Sequence, residues 1–441
     1  MELIGKFQDQ ELGRKEMKKA FLVMMALVLA VVLAAPVSAA EFKYGGYWRS
    51  RIVSSDNVQD GTDLLDDNYN RIDQRLRMYF YFVASENFRM VTRWEVNTIW
   101  GQAATGGDVG ADSNNFLMKN VYAEIKIPNT PVTTRIGVQG IDMMGGWLVA
   151  DDFSAMTMDA KFGAVKLLGG YIAARNEDFT STEDNIDDVF LGLQYANGPW
   201  KGGLYGFYQY ARNLNASYVV YTVPTLDNNL FDLGLELGYA TKQFDITARG
   251  IKNLGSTDDA FGNSGDYKGW MAELVGNVYV NNFTFTLGGF YTSGDDDFSD
   301  DDIEAFVYPL GRSHYWSEVL GFGAFGVQDQ QAPRGNGWTA GDAPSNLWTV
   351  TAGVAWQALE KTKLGFNYYY IGTAEDVTAD ITNGDTSSEV GNEFDLLIEQ
   401  RLIDGLRLRM VAGYLVAGDA RTNIADDDDA WLLGAKLDWA F

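Results

Sequence analysis

Arginine recurs at alternate positions along one part of this chain. RIDQRLRMYFYFVA sets Arg71, Asp73, Arg75, Arg77, Tyr79 and Tyr81 on one side of a period-two pattern, against Ile72, Leu76, Met78, Phe80 and Phe82. FRMVTRWEVNTIW repeats the pattern, with Arg89, Arg93, Glu95 and Asn97 against Phe88, Met90, Trp94 and Val96. The polar side also carries Lys43, Tyr47, Arg49 and Arg51 before these stretches, and Glu124 and Arg135 after them. Far along the chain it takes up Arg401, Arg407, Arg409 and Lys436. A guanidinium keeps its charge and offers a planar fork that grips carboxylate or phosphate with two hydrogen bonds. A wall of such groups in water attracts anions, and with carboxylates facing it sets a transverse field. The same arginines can instead pair with Asp73, Glu95 and Glu124, or reach out to lipid headgroups; both arrangements fit the pattern.

Other chemistries are poorly served. The chain has no Cys and a single His, His314 in GRSHYW. That removes disulfides, thiolate catalysis, zinc-thiolate and iron–sulfur sites, and any His cluster. His314 has no evident Ser and Asp companions, so neither an enzyme nor a bound cofactor is expected. A formal charge of -26 argues against nucleic acid, whose phosphates require a basic footprint.

The elements that must position the arginines are strands. Alternation places them near 42–53, 71–83, 88–100, 116–127, 132–140, 153–160, 164–174, 188–196, 200–210, 230–239, 244–252, 270–280, 283–292, 347–359, 364–374, 392–403, 406–417 and 430–441. The expected fold is all-β, an antiparallel transmembrane barrel of eighteen strands, or sixteen on a stricter count. Most strands match the roughly 9–11 residues that cross a bilayer when tilted. Connections alternate strictly. Turn-type pieces at Ser85, Pro128, Lys161, Asn197, Thr241, Asn281, Glu360 and Asp404 make one end tidy, and long polar segments make the other elaborate. Aromatics such as Tyr79, Phe82 and Phe283 near the short turns, and Trp100, Tyr208 and Tyr370 near the long loops, fit two interfacial girdles.

Before the strands lies a leader. Residues 17–40 begin with Lys18 and Lys19, run apolar from Phe21 to Ala35 and end in small residues near Ala39 and Ala40, as a secretory signal does. The apolar run is shorter than the roughly 20 residues of a spanning helix. Residues 1–16 read as an upstream extension, leaving 41–441 as one barrel.

In hydrocarbon an unpaired backbone group costs several kcal/mol, so the last strand is expected to pair with the first. AWLLGAKLDWAF keeps Trp431, Leu433, Leu437, Trp439 and Phe441 on one face. Here the chain resembles the outer-membrane barrels of Gram-negative bacteria, which commonly end in an aromatic with apolar residues at alternate positions. That resemblance implies an outer-membrane location, contact with lipid and lipopolysaccharide, and Trp439 and Phe441 as the signal read by the barrel assembly machinery. General porins are similar in opposing an arginine ladder to loop carboxylates, and alginate-export-type barrels in lining a pore with arginine. The resemblance thus implies passive diffusion of small hydrophilic solutes or ions through a water-filled lumen. Its alternative is selective transport of an anionic solute or acidic polysaccharide. A homotrimer is implied by the general porins alone.

Two further segments carry expectations. The connection 293–346 includes the apolar, glycine-bearing EVLGFGAFGVQDQ, unusual for a solvent-exposed loop. It either folds into the barrel and narrows the lumen or forms an external subdomain. Carboxylates collect at Asp66–Asp67, Asp187–Asp188, Asp258–Asp259, Asp295–Asp297, Asp300–Asp302 and Asp426–Asp429, read as outer loops. They serve solvation or weak bridging of divalent cations, and they oppose the anion preference of the wall.

Overall fold

Trp48 lies opposite Trp439, and Arg51 opposite Lys436, where the first strand pairs antiparallel with the last. That pairing closes the sheet. The computed structural model describes residues 41–58, 69–111, 116–175, 186–214, 225–259, 264–297, 300–323, 325, 334–335, 337–380, 384–421 and 429–441. The leader and Asp66, Asp67 and Asp426 to Asp428 lie outside the described residues.

In chain order the strands are β1 (Glu41–Asp56), β2 (Tyr69–Ser85), β3 (Phe88–Ile99), β4 (Phe116–Lys126), β5 (Val132–Met143), β6 (Val149–Phe162), β7 (Val165–Arg175), β8 (Ile186–Asn197), β9 (Trp200–Leu214), β10 (Thr225–Ala240), β11 (Phe244–Asp259), β12 (Ser264–Tyr267), β13 (Trp270–Val280), β14 (Phe283–Thr292), β15 (Asp302–Ile303), β16 (Arg334–Gly335), β17 (Trp338–Thr339), β18 (Leu347–Leu359), β19 (Thr362–Asp380), β20 (Asp385–Ile403), β21 (Leu406–Ala417) and β22 (Ala430–Ala440). Among the described residues, β12, β15, β16 and β17 are short strands in loops, and the remaining eighteen pair antiparallel with their chain neighbours around the barrel. This is the architecture that the alternation predicts.

Period two explains the two faces. Leu191 and Leu287, 70% and 67% exposed, stand on the outer face, while Arg51, Asp73, Glu95 and Glu124 are buried on the other. The short connections turn tightly: Gly163, Gly198, Asn281 and Gly405 take positive φ, which suits glycine and asparagine. At the opposite end the strands outrun their predicted limits. β10 and β11 stay paired out to Thr225 and Asp259, and β20 begins at Asp385. Polar side chains there leave the backbone free to pair, so hydrogen bonding continues beyond the apolar pattern. Asp258 and Asp259 consequently belong to β11, and Asp187 and Asp188 to β8. Asp187 and Asp188 are 4% and 0% exposed. Their placement corrects the outer-loop reading, because a run of preceding acids conceals where the strand starts.

The interior is packed by loops. Trp147, Leu148, Phe306, Leu320, Phe325 and Trp338 are all buried in one apolar cluster with Phe153 and Phe290 of the wall. Trp147 and Leu148 come from the β5–β6 connection, which the sequence reading passes over. The others come from the segment between β14 and β18. The terminal pairing continues past β22, where Phe441 N–H donates to Gly46 O at 3.1 Å and Gly46 N–H to Phe441 O at 3.0 Å.

Candidate functional site

Register decides which arginines meet. Arg51 falls opposite Asp73 and Arg49 opposite Arg75 in the β1–β2 pairing. Arg77 falls opposite Glu95 in β2–β3, and Glu124 lies between Arg89 and Arg135 across β3–β4 and β4–β5. Side chains follow that plan. Arg51 Nε donates to Asp73 Oδ2 at 2.8 Å, with Arg71 Nε 3.0 Å from the same oxygen. Glu95 takes Arg77 and also stands 3.7 Å from Arg75 Nε, which itself donates to Asn97 Oδ1 at 2.5 Å. Glu124 accepts from Arg89 Nη2 and Arg135 Nε, at 2.9 Å each. Arg93 pairs with Asp152, which also holds Lys119 Nζ at 3.3 Å.

Tyrosines line the same wall. The guanidinium carbons of Arg77, Arg89 and Arg93 stand 5.6, 5.7 and 5.8 Å from the ring centroids of Tyr47, Tyr81 and Tyr79. Such stacking holds a guanidinium without neutralising it. Beyond the closure, Arg409 Nε is 3.3 Å from Glu399 and 3.7 Å from Asp438, Arg407 Nη1 is 3.9 Å from Glu399, and Lys436 Nζ is 3.8 Å from Asp438. Arg401 is exposed at the short-turn end of β20. The predicted residues therefore fall into one continuous band, from β20 through closure to β5. Within it, pairing with carboxylates is the rule. Arg49 and the exposed Arg401 are the exceptions: among the described residues neither makes a salt bridge, and the Arg49 Nε is buried without a hydrogen-bond partner.

The opposite wall is acidic. Asp188 of β8 and Asp232 of β10 are fully buried, each with one carboxylate oxygen lacking a partner, and Gln209 and Asn253 donate to the other oxygens at 2.9 and 2.5 Å. Arg249 donates to Glu236 at 2.6 Å and to Glu273. On β20, at the edge of the basic band, Glu393 and Asp395 are fully buried as well. None of these acids stands out by spacing alone. Their alternation marks a strand, but which face they take and what they meet depends on residues far away in the chain.

Two connections meet inside the barrel. At the β5–β6 connection Met144, Gly145 and Gly146 all take positive φ, turning Trp147 inward. Its ring stacks on His314 of the β14–β18 segment, with centroids 3.9 Å apart. Ser313 N–H donates to Gly146 O at 3.2 Å, Ala150 N–H to Gly311 O at 2.8 Å, and His314 Nδ1 lies 3.2 Å from Gly145 O. Burial pushes the His314 imidazole below its ordinary range, with Glu273, 3.6 Å from Nε2, working against that shift. Burial raises the Asp342 carboxyl, the Arg312 guanidinium opposing it, and holds the Tyr308 phenol well above its usual value. The segment then reaches the basic wall, where Arg51 Nη1 donates to Phe325 O and the Lys436 ammonium stands 5.4 Å from the Phe325 ring centroid.

Among the described residues, no group of three or more His, Asp or Glu side chains is placed to hold a metal ion. The arrangement can bind and orient charged solutes, through guanidinium forks on one side and carboxylates on the other.

No protein-family model matches the chain, and no curated protein matches it in sequence. Solved structures do match in shape. The chain is similar to the outer membrane protein OpdK from Pseudomonas aeruginosa, with a TM-score of 0.57 at 11% identity, over 91% of this chain and 98% of that one. A second structure of that protein, with vanillate, gives a TM-score of 0.58 at 10% identity over the same shares. OccAB3 from Acinetobacter baumannii gives 0.59 at 9% identity, over 91% of this chain and all of the other. At such identities the likeness is one of fold: an eighteen-stranded closed barrel.

Proposed function

We propose that the chain is an outer-membrane channel through which small hydrophilic solutes pass passively, along a lumen lined by arginine and biased toward anions. The observation that carries this reading is the band of arginines on the inner face of a closed barrel whose outer face is apolar. Buried dry, so many guanidiniums would need a carboxylate each. Arg49 has none, and Arg89 and Arg135 keep 40% and 36% of their side chains exposed. The fold supports the location, since the solved barrels it resembles include one described as an outer membrane protein. Lipid and lipopolysaccharide would meet the outer face, and Trp439 and Phe441, 42% and 46% exposed there, would serve the assembly machinery.

In this reading the 293–346 segment narrows the lumen. Phe325 and His314 reach opposite walls, so solute passes beside a loop rather than through an open tube.

A second reading is a transporter selective for one anionic solute or an acidic polysaccharide. It draws on the depth to which the loops fill the interior, and on the structure of OpdK with vanillate, a carboxylate. Liposome swelling with the refolded mature protein separates the two. Comparable uptake of small sugars and small carboxylates supports diffusion. Saturable uptake of one carboxylate, or block by an acidic polysaccharide with sugars excluded, supports selectivity. No swelling with any solute overturns both.

A further inference from the structure

Three strands of the wall converge on one short piece of the long loop. Residues 316–323 make a tight turn, in which Trp316 N–H donates to Gly321 O at 3.1 Å and Gly323 N–H to Ser317 O at 2.7 Å. The turn leaves successive N–H groups pointing the same way. Glu393 of β20 receives them: its carboxylate accepts from Ser317 Oγ at 2.9 Å, Val319 N–H at 2.7 Å and Leu320 N–H at 3.2 Å. Two residues on, Asp395 accepts from Glu318 N–H at 3.1 Å. From β19, the Tyr369 hydroxyl donates to Trp316 O at 2.9 Å. From β21, Gly413 leaves room for the loop, since a Cβ there would lie 2.8 Å from Val319 Cγ2 and 3.0 Å from Asp395 Oδ1.

We propose that Glu393 and Asp395 are positioning residues that hold this turn of the 293–346 loop on the wall, and thereby set both the bore and the charge selectivity of the channel. The inference rests on the channel reading above. Its physical basis is that a buried carboxylate is costly unless hydrogen-bonded, and apolar side chains would fill the same space without that cost. Here the wall carries two adjacent carboxylates whose loop-side partners are mainly backbone N–H groups. Such donors exist only while the turn is folded and seated.

The consequence lies a few residues further on. Seating the turn brings Phe325 against Gly434, where a Cβ would stand 2.6 Å from the ring, and its carbonyl onto Arg51. Arg51 and Lys436 are thereby buried, at 2% and 7% exposure. The carboxylates of β20 thus withdraw two cations of the basic wall from the lumen. A channel with the turn unseated is wider and more anion-selective.

The test uses Glu393→Gln in the refolded mature protein, with single-channel conductance and reversal potential read under a salt gradient. The expected result is a rise in conductance together with a shift of the potential toward anions. A charge-neutral second variant is Tyr369→Phe, which removes the hydroxyl that donates to Trp316 O and leaves every carboxylate in place. It is expected to shift conductance and potential in the same direction as Glu393→Gln, a result that loss of one carboxylate alone would not produce. If Glu393→Gln does not fold, Tyr369→Phe carries the test. Unchanged conductance and potential in Tyr369→Phe, or in a folded Glu393→Gln, overturns the inference while the parent still conducts. A parent that does not conduct overturns the channel reading instead.

Discussion

Arg49 stands directly opposite Arg75 in the β1–β2 pairing, and Arg75 is engaged by Asn97 and Glu95 while Arg49 makes no salt bridge among the described residues. Like charges directly across a strand pair are destabilising by a few tenths of a kcal/mol to about 1 kcal/mol. A register that puts them there makes sense where water or a passing anion screens them. Arg49→Gln is expected to fold with unchanged or slightly higher stability, and to move the reversal potential toward cations. Thermal unfolding of the refolded barrel and the potential under a salt gradient check the two halves of this prediction.

Glu124 bridges two arginines. Glu124→Gln frees Arg89 and leaves Arg135 to Asp159 alone, so anion preference is expected to rise while stability falls by about 1–3 kcal/mol through the lost charge-assisted bonds. Reversal potential and denaturant unfolding give the two readouts. A shift toward cations contradicts the assignment of Glu124 to the conducting face.

At Gly146 a Cβ would lie 1.9 Å from Ser313 O, and its φ is 88°. Gly146→Ala is therefore expected to part the two interior connections, at a cost of about 1 kcal/mol or more. Limited proteolysis from the long-loop side should then cut within 293–346 faster than in the parent, with the barrel strands intact.

His314 gives the junction a pH dependence. Its imidazole is held below the ordinary 6.5 by burial, against the pull of Glu273 and with the help of Arg249. The unfolded junction thus binds the proton more readily than the folded one. The neutral form contributes stability in full above about pH 6.5, and that contribution is lost as pH falls through the lowered folded value. Protease sensitivity of the loop should rise on acidification through that window. His314→Asn should flatten the profile, and an equally steep profile in that variant contradicts the assignment.

Strand existence was legible because alternation is local: Arg75 and Leu76 declare their faces without reference to anything distant. The same holds for the turns at Asn281 and Asp404. The β5–β6 connection was not legible, since its residues 144–148, MGGWL, run apolar into the next strand and carry no polar turn residue. Its one signal was the Gly145–Gly146 pair ahead of a tryptophan, which three successive positive φ values now explain. The basic band was readable as a face, but its pairing with Asp73, Glu95, Glu124 and Asp152 depends on register. Glu393 was invisible as an anchor because its donors, Ser317, Val319 and Leu320, lie more than seventy residues away in the chain.

The central claim is a water-filled, arginine-biased passage through the barrel. Single-channel recording of the refolded mature protein in a planar bilayer under a salt gradient tests it most directly. The account predicts stepwise, persistent openings with a reversal potential on the anion side, reduced by Arg49→Gln. Near-zero conductance from a demonstrably folded sample would contradict it.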